Sequence, residues 1–240
     1  MKDGFLKAAA AAPELRVADP EYNAGKIIDV IADAREKGVK LLTFPELALT
    51  GCTCGHLYFQ RRLTDAAMDG LKRIAMATEG TDMLVIVGLP LAVRGAVYSA
   101  AAAVCNGDIL GFTARRNVRG TVFTAMNPNE SIDINVSGAY YCCLESELLF
   151  VTEVIPGLAA GVQFAADRRL PMPPAAMLCA NGATVICELS DEPMSVRSRR
   201  ETLTALEVDT ARLHCAVLSA APGSGESSTD KSYYGLCAVT

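Results

Sequence analysis

The sequence predicts a mixed α/β fold in one domain, with helices packed on a sheet. Three observations predict it. Strand-like apolar segments alternate with segments of helical periodicity, a single Asn-Gly hairpin interrupts the alternation, and no linker-like stretch divides the 240 residues. That length is ample for a buried core.

The elements follow in order. Ala8 to Ala12 is short and small, and Val17-Ala18-Asp19-Pro20 turns the chain. From Tyr22, the residues Ala24, Ile27, Ile28 and Ile31 fall on one helical face, and Gly38 stops that helix. Val39 to Phe44 reads as a buried strand ended by Pro45-Glu46. A second helix spans Leu63 to Ala77, and Met83 to Leu89 is an apolar strand closed by Pro90. Val97 to Cys105 and Asp108 to Thr113 flank Asn106-Gly107, the strongest two-residue hairpin signal. Arg115 to Tyr140 lacks periodicity and reads as loop. Strands return at Leu148 to Val154 and Gly161 to Phe164. A helix (Pro174 to Ala180), a strand (Thr184 to Leu189), a helix (Arg197 to Arg212) and a strand (Cys215 to Ala220) complete the run before the Gly/Ser loop Pro222 to Ser228.

The net charge of -5 argues against a nucleic-acid surface, which would need a basic face. No apolar run approaches the length of a membrane span. The alanine run within Met1 to Pro13 is poor in Leu, Ile and Phe, so it is not read as a signal peptide, and a cytoplasmic protein is expected. Nine irregularly spaced cysteines do not form a disulfide framework. Most sit in apolar runs, where a free thiol packs as a small hydrophobe.

In α/β sheets chemistry gathers at the carboxyl ends of strands. Three such ends stand out: Phe44-Pro45-Glu46, Gly111 to Arg116, and Gly161 to Asp167. Glu46 there could act as a general base. On exposure statistics alone, a solvated surface glutamate is the commoner explanation.

Phe44-Pro45-Glu46-Leu47-Ala48-Leu49-Thr50-Gly51 resembles the FPEL-x-LTGY segment of the nitrilase superfamily. With Thr53-Cys54-Gly55 and Leu57-Tyr58-Phe59-Gln60 after it, the chain is similar to one branch, the amino-terminal glutaminase domains of glutamine-dependent NAD synthetases. The resemblance runs from Met1-Lys2-Asp3-Gly4-Phe5 to Gly225-Glu226-Ser227-Ser228-Thr229-Asp230, nearly the whole chain. It implies an α-β-β-α sandwich whose chemistry uses Glu, Lys and Cys. The thiolate attacks a side-chain amide, the Glu shuttles the proton, and the Lys supports the oxyanion.

Carried over residue by residue, the Glu falls on Glu46. The Lys falls on Arg115, after Ile109-Leu110-Gly111. The nucleophile segment resembles GVEICEDLW and reads here Gly161-Val162-Gln163-Phe164-Ala165-Ala166-Asp167-Arg168-Arg169, so the Cys position is Ala165. No cysteine occurs between Cys143 and Cys179, which rules out a shifted register. Other departures gather in the same places: Cys52 for the LTGY tyrosine, His56 for an Asp, and Ala166 for the Glu before Asp167. Ser190 matches a family loop serine near the substrate, although a serine ending a strand is usually turn chemistry.

The expectation is a degenerate glutaminase-like domain without covalent catalysis. It would bind a small amide ligand such as glutamine, need no cofactor and self-associate as a homo-oligomer. The enzymatic alternative is a divergent amidase using Glu46, Arg115 and another thiol. Cys52 is the best substitute, set against a buried or inert thiol. Cys52-Thr53-Cys54-Gly55-His56 resembles a metal loop, but zinc wants further ligands and the only other histidine is His214, so no metal is expected. Cys142-Cys143 are read as packing beside the Leu148 strand, and Tyr140-Tyr141 and Tyr233-Tyr234 as partly buried aromatics at a subunit contact. The loop Pro222 to Ser228 lacks the lysine and following helix of a P-loop. No S-G-G-x-D-S-type loop of a synthetase domain occurs, and a final glutaminase strand is expected to be missing after Thr240.

Overall fold

The computed structural model describes residues 5–137, 140–152 and 155–240. Strand β1 (Ala8–Ala10) leads through helix α1 (Pro20–Glu36) to β2 (Leu41–Thr43), then helix α2 (Arg61–Ala77). The meander β3 (Leu84–Val93), β4 (Ala96–Cys105) and β5 (Asp108–Ala114) follows, then the hairpin β6 (Ile132–Ser137) and β7 (Tyr140–Glu145). The second half runs β8 (Leu149–Val151), β9 (Ala159–Phe164), α3 (Pro174–Ala180), β10 (Val185–Leu189), α4 (Ser198–Leu213), β11 (Ala216–Ala220) and β12 (Cys237–Val239).

The strands form two sheets. One has seven strands in the order β1-β2-β3-β4-β5-β7-β6, the other five in the order β12-β11-β10-β9-β8. Side-chain alternation explains their stacking. Leu42, Phe44, Val85, Val87, Ala102 and Val104 point outward and pack under α1 and α2. Leu41, Ile86, Ala101 and Ala103 point inward and meet Ala160, Val162, Phe164, Cys187 and Leu189 of the second sheet. The outer face of that sheet, through Ile186 and Val217, packs on Leu178 of α3 and Leu206 of α4. The result is the α-β-β-α sandwich the resemblance implied. Each fully buried Ile or Leu in these layers contributes about 1.5–3 kcal/mol.

Local chemistry starts α1. The Asp19 side chain accepts the Tyr22 N–H at 3.1 Å, and Pro20 occupies the first turn, where a missing N–H costs nothing. The Asn106-Gly107 hairpin forms as expected, with both residues at positive φ.

The structure corrects four readings. Pro90 does not close β3, which continues to Val93. Ile86 and Gly88 turn their carbonyls toward the β2 side, bonding Phe44 and Leu49. Pro90 shares that orientation, and β2 has ended by then, so its missing N–H is not needed in a ladder. The supposed loop Arg115 to Tyr140 contains β6 and the first residue of β7; Ile132 and Ile134 are buried while Asp133 and Asn135 are exposed, a period of two overlooked in a short segment. Residues 138–139 of that loop, and residues 153–154 of the Leu148 to Val154 strand, lie outside the described residues, as do residues 1–4. Cys142 is buried in the core beneath the helices rather than beside Leu148. Of the four tyrosines, Tyr233 is buried, while Tyr140, Tyr141 and Tyr234 are exposed. Among the described residues, no helix is long and apolar enough to cross a membrane.

Candidate active site

β2, β3 and β5 run in one direction in the first sheet, and β9, β10 and β11 run parallel in the second. Their carboxyl ends converge: the Glu46 N–H bonds the Ser190 carbonyl at 3.2 Å, and the Ala165 N–H bonds the Leu189 carbonyl at 2.9 Å. The three strand ends chosen from the sequence therefore meet at one edge of the sandwich.

Glu46 sits in a tight turn after β2, where Leu47 adopts φ +58. The turn lies directly on β3. A Cβ at Gly88 would stand 2.4 Å from the Pro45 carbonyl and 2.5 Å from the Leu47 nitrogen, so only glycine admits this approach. The surface-glutamate explanation is wrong: Glu46 is 0% exposed. Its Oε1 accepts from Ser99 Oγ at 2.5 Å and Arg115 Nη1 at 2.9 Å, while Oε2 has no partner. Burial pushes the carboxyl well above the usual range and the charge of Asp191 adds to this, with Arg115 and Ser99 offsetting only in part.

Arg115 follows β5. Its Nη1 also bonds Asp191 Oδ2 at 2.9 Å, and its Nε bonds the Asn117 carbonyl at 2.9 Å. The segment after β5 is pinned to the nucleophile turn by Asp167, whose buried carboxyl accepts the N–H groups of Arg116 at 3.1 Å and Asn117 at 2.5 Å. Ala165 begins that turn and lines a cleft of about 1030 Å³, together with Arg115, Cys52, Asp191 and the first half of α4.

Cys52 also lines the cleft, yet it is poorly suited to act as a nucleophile. Burial and the nearby Glu226 carboxylate push its thiol far above the normal range. Ser190 lies off this cleft. Its Oγ accepts the Glu192 N–H at 3.1 Å, which is turn chemistry. Cys54 Sγ donates to the Thr50 carbonyl at 3.1 Å, His56 is exposed, and among the described residues no group of three or more His, Cys, Asp or Glu could hold a metal ion.

A family profile described as carbon-nitrogen hydrolase matches residues 7–240. The chain belongs to the carbon-nitrogen hydrolase family. It is 31% identical to the glutamine-dependent NAD(+) synthetase of Mycobacterium tuberculosis (strain ATCC 25618 / H37Rv) over 240 residues, 97% of this chain and 35% of that protein. The same-named protein of Mycobacterium leprae is 27% identical over 238 residues. The chain thus spans about a third of the length of these curated relatives. Among solved structures, it superposes on a glutamine-dependent NAD(+) synthetase from Cytophaga hutchinsonii with a TM-score of 0.80 at 21% identity, covering 90% of this chain and 36% of that one. It also superposes on an amidase from Nesterenkonia sp. with a TM-score of 0.75 at 18% identity, covering 100% of this chain and 83% of that one. The fold is that of the nitrilase superfamily, and the chain resembles the glutaminase domain of NAD synthetase.

Sequence reasoning missed the partners that set this site. Asp191 is 76 residues from Arg115, and Ser99 is 53 from Glu46. It also missed a buried network beneath α3 and α4. Arg168, at the Leu position of the GVEICEDLW segment, bonds Glu188 through Nε at 3.0 Å and through a second guanidinium nitrogen. Ser219 and Gln163 complete the shell of Glu188, and Asp209 of α4 faces Arg168 at 3.5 Å. An arginine at the leucine position of that segment was the available signal.

Proposed function

We propose that this chain is a non-catalytic carbon-nitrogen hydrolase domain that binds a small primary amide, such as glutamine, without hydrolysing it. The observation that carries the reading is Ala165. The first residue after β9 faces the cleft with a methyl group, which offers neither an electron pair for attack nor a proton to transfer. Direct attack by water would need Glu46 as its base, and Glu46 forms no part of the cleft wall. Amide binding without the thiol has a precedent in the superfamily fold: a cysteine-to-alanine variant of the Nesterenkonia sp. AN1 amidase was solved in complex with butyramide. The relatives named for glutamine dependence make glutamine the first ligand to try.

The test is ammonia release from glutamine, asparagine and butyramide, alongside thermal-shift titration with the same amides. Release stays at the buffer blank while a saturable upward shift appears with at least one amide. Turnover at about one per second, ordinary for an enzyme, defeats the reading. The divergent-amidase alternative requires a reactive Cys52, and the suppressed thiolate counts against it. Labelling of Cys52 alone by an electrophilic glutamine analogue, with loss of activity, would favour it. Self-association belongs to the same proposal, and a strict monomer by light scattering at several concentrations would remove that part.

A further inference from the structure

Arg115 stands between the cleft and Glu46. Its side chain lines the cleft, whereas Glu46 behind it is wholly buried. Three of the five guanidinium N–H groups are committed: both hydrogens of Nη1, to Glu46 Oε1 and Asp191 Oδ2 at 2.9 Å each, and Nε–H to the Asn117 carbonyl at 2.9 Å. Glu46 and Arg115 follow β2 and β5 of the first sheet, while Asp191 follows β10 of the second, so one side chain ties the two site edges together. A lysine ammonium, a point charge on a flexible stem, cannot reproduce this planar, three-point anchorage.

We infer that Arg115 is an internal plug, latched by Asp191, that seals Glu46 from the cleft and so locks the site a second time, independently of the missing thiol. The inference rests on the non-catalytic reading above and deepens it. The amide chemistry that the family resemblance implies uses a carboxylate that takes a proton from the attacking group and delivers it to the leaving amine. Here Oε1 is held by Ser99 and Arg115, and Oε2 is enclosed without a partner, so neither oxygen is open to a ligand. Asp191 is a positioning residue, acting through Arg115.

The test installs a thiol and then releases the plug. Ala165→Cys, Ala165→Cys/Arg115→Lys, Ala165→Cys/Asp191→Ser and Ala165→Cys/Asp191→Glu are compared for ammonia release from glutamine, with iodoacetamide alkylation to show that the new thiol is reachable and circular dichroism to show that each variant is folded. The single variant is alkylated but releases ammonia only marginally above the buffer blank. Arg115→Lys in the same background raises release on the order of 10²-fold, the usual scale of a positioned acid/base. Asp191→Ser raises it less and moves the rate profile to lower pH, because one of the charges that holds the Glu46 carboxyl up is gone. Asp191→Glu keeps the latch and stays silent. Equal release by Ala165→Cys alone and by the Arg115→Lys pair overturns the plug while leaving the non-catalytic reading intact. Silence of a folded, alkylated Ala165→Cys/Arg115→Lys variant also overturns it. Turnover by the unaltered chain defeats the non-catalytic reading instead.

Discussion

Replacing Glu226 with glutamine will flatten the pH dependence of this protein's stability. Glu226 ends the 3₁₀ turn Ser224–Glu226 and is fully buried beside the cleft. Its Oε2 accepts the Cys52 N–H at 2.9 Å, while Oε1 has no partner. Burial raises the carboxyl from 4.5 to about 7, and its hydrogen bonds offset this only in part. Between those values the folded protein keeps a proton that the unfolded chain has released. The folded state therefore binds more protons, and stability falls as pH rises through the window. The difference corresponds to about 3 kcal/mol, a large share of a total stability of about 5–15 kcal/mol. Glu46 contributes a fall of the same sign that persists in the variant. Urea unfolding at a series of pH values, in the parent chain and in Glu226→Gln, isolates the effect. The variant loses about 3 kcal/mol less than the parent between pH 4.5 and about 7. At the acid end it starts about 1–3 kcal/mol lower, because its amide N–H groups lack an acceptor. Parallel stability curves for the two proteins would refute burial as the cause.

Further outcomes follow from the same geometry. Gly88→Ala drives a methyl into the backbone of Pro45, Glu46 and Leu47 at 2.4–2.8 Å, so chemical denaturation will show a loss of about 3 kcal/mol or more, and a loss under about 1 kcal/mol would mean the turn yields freely. Glu188→Ala strands the buried side of Arg168 and costs about 3–5 kcal/mol, whereas the paired change Glu188→Met/Arg168→Met costs distinctly less; melting temperatures of both variants decide it. Iodoacetamide mapping at neutral pH will find Cys52 modified no faster than a free peptide thiol, because its thiolate is suppressed, and rapid modification would return Cys52 to the list of candidate nucleophiles.

Much of the sandwich was legible in the sequence. The helical face of Ala24, Ile27 and Ile31 is the buried face of α1, and Asn106-Gly107 is the turn between β4 and β5. The three strand ends Glu46, Arg115 and Ala165 do come together at one edge. The misses have physical reasons. Pro90 stays in a strand because its nitrogen faces a side without a ladder, which depends on where β2 stops. Glu46 was weighed as a surface residue because composition cannot tell which charges have partners that survive burial. The Ser190 hydroxyl accepts the Glu192 N–H, the turn chemistry expected of a serine that ends a strand.

The linear chain alone determined family membership, the helices and most of the strands, and the absence of sulfur at position 165, since residue identity and periodicity are local properties. The folded arrangement alone decided that Asp191 joins Arg115 across 76 residues, that Glu46 lies sealed behind that arginine, and that burial, aided by Glu226 from 174 residues away, pushes up the Cys52 thiol. Charge pairing and burial act through distances of a few ångströms, and stacking two sheets is what creates those distances between segments remote in sequence.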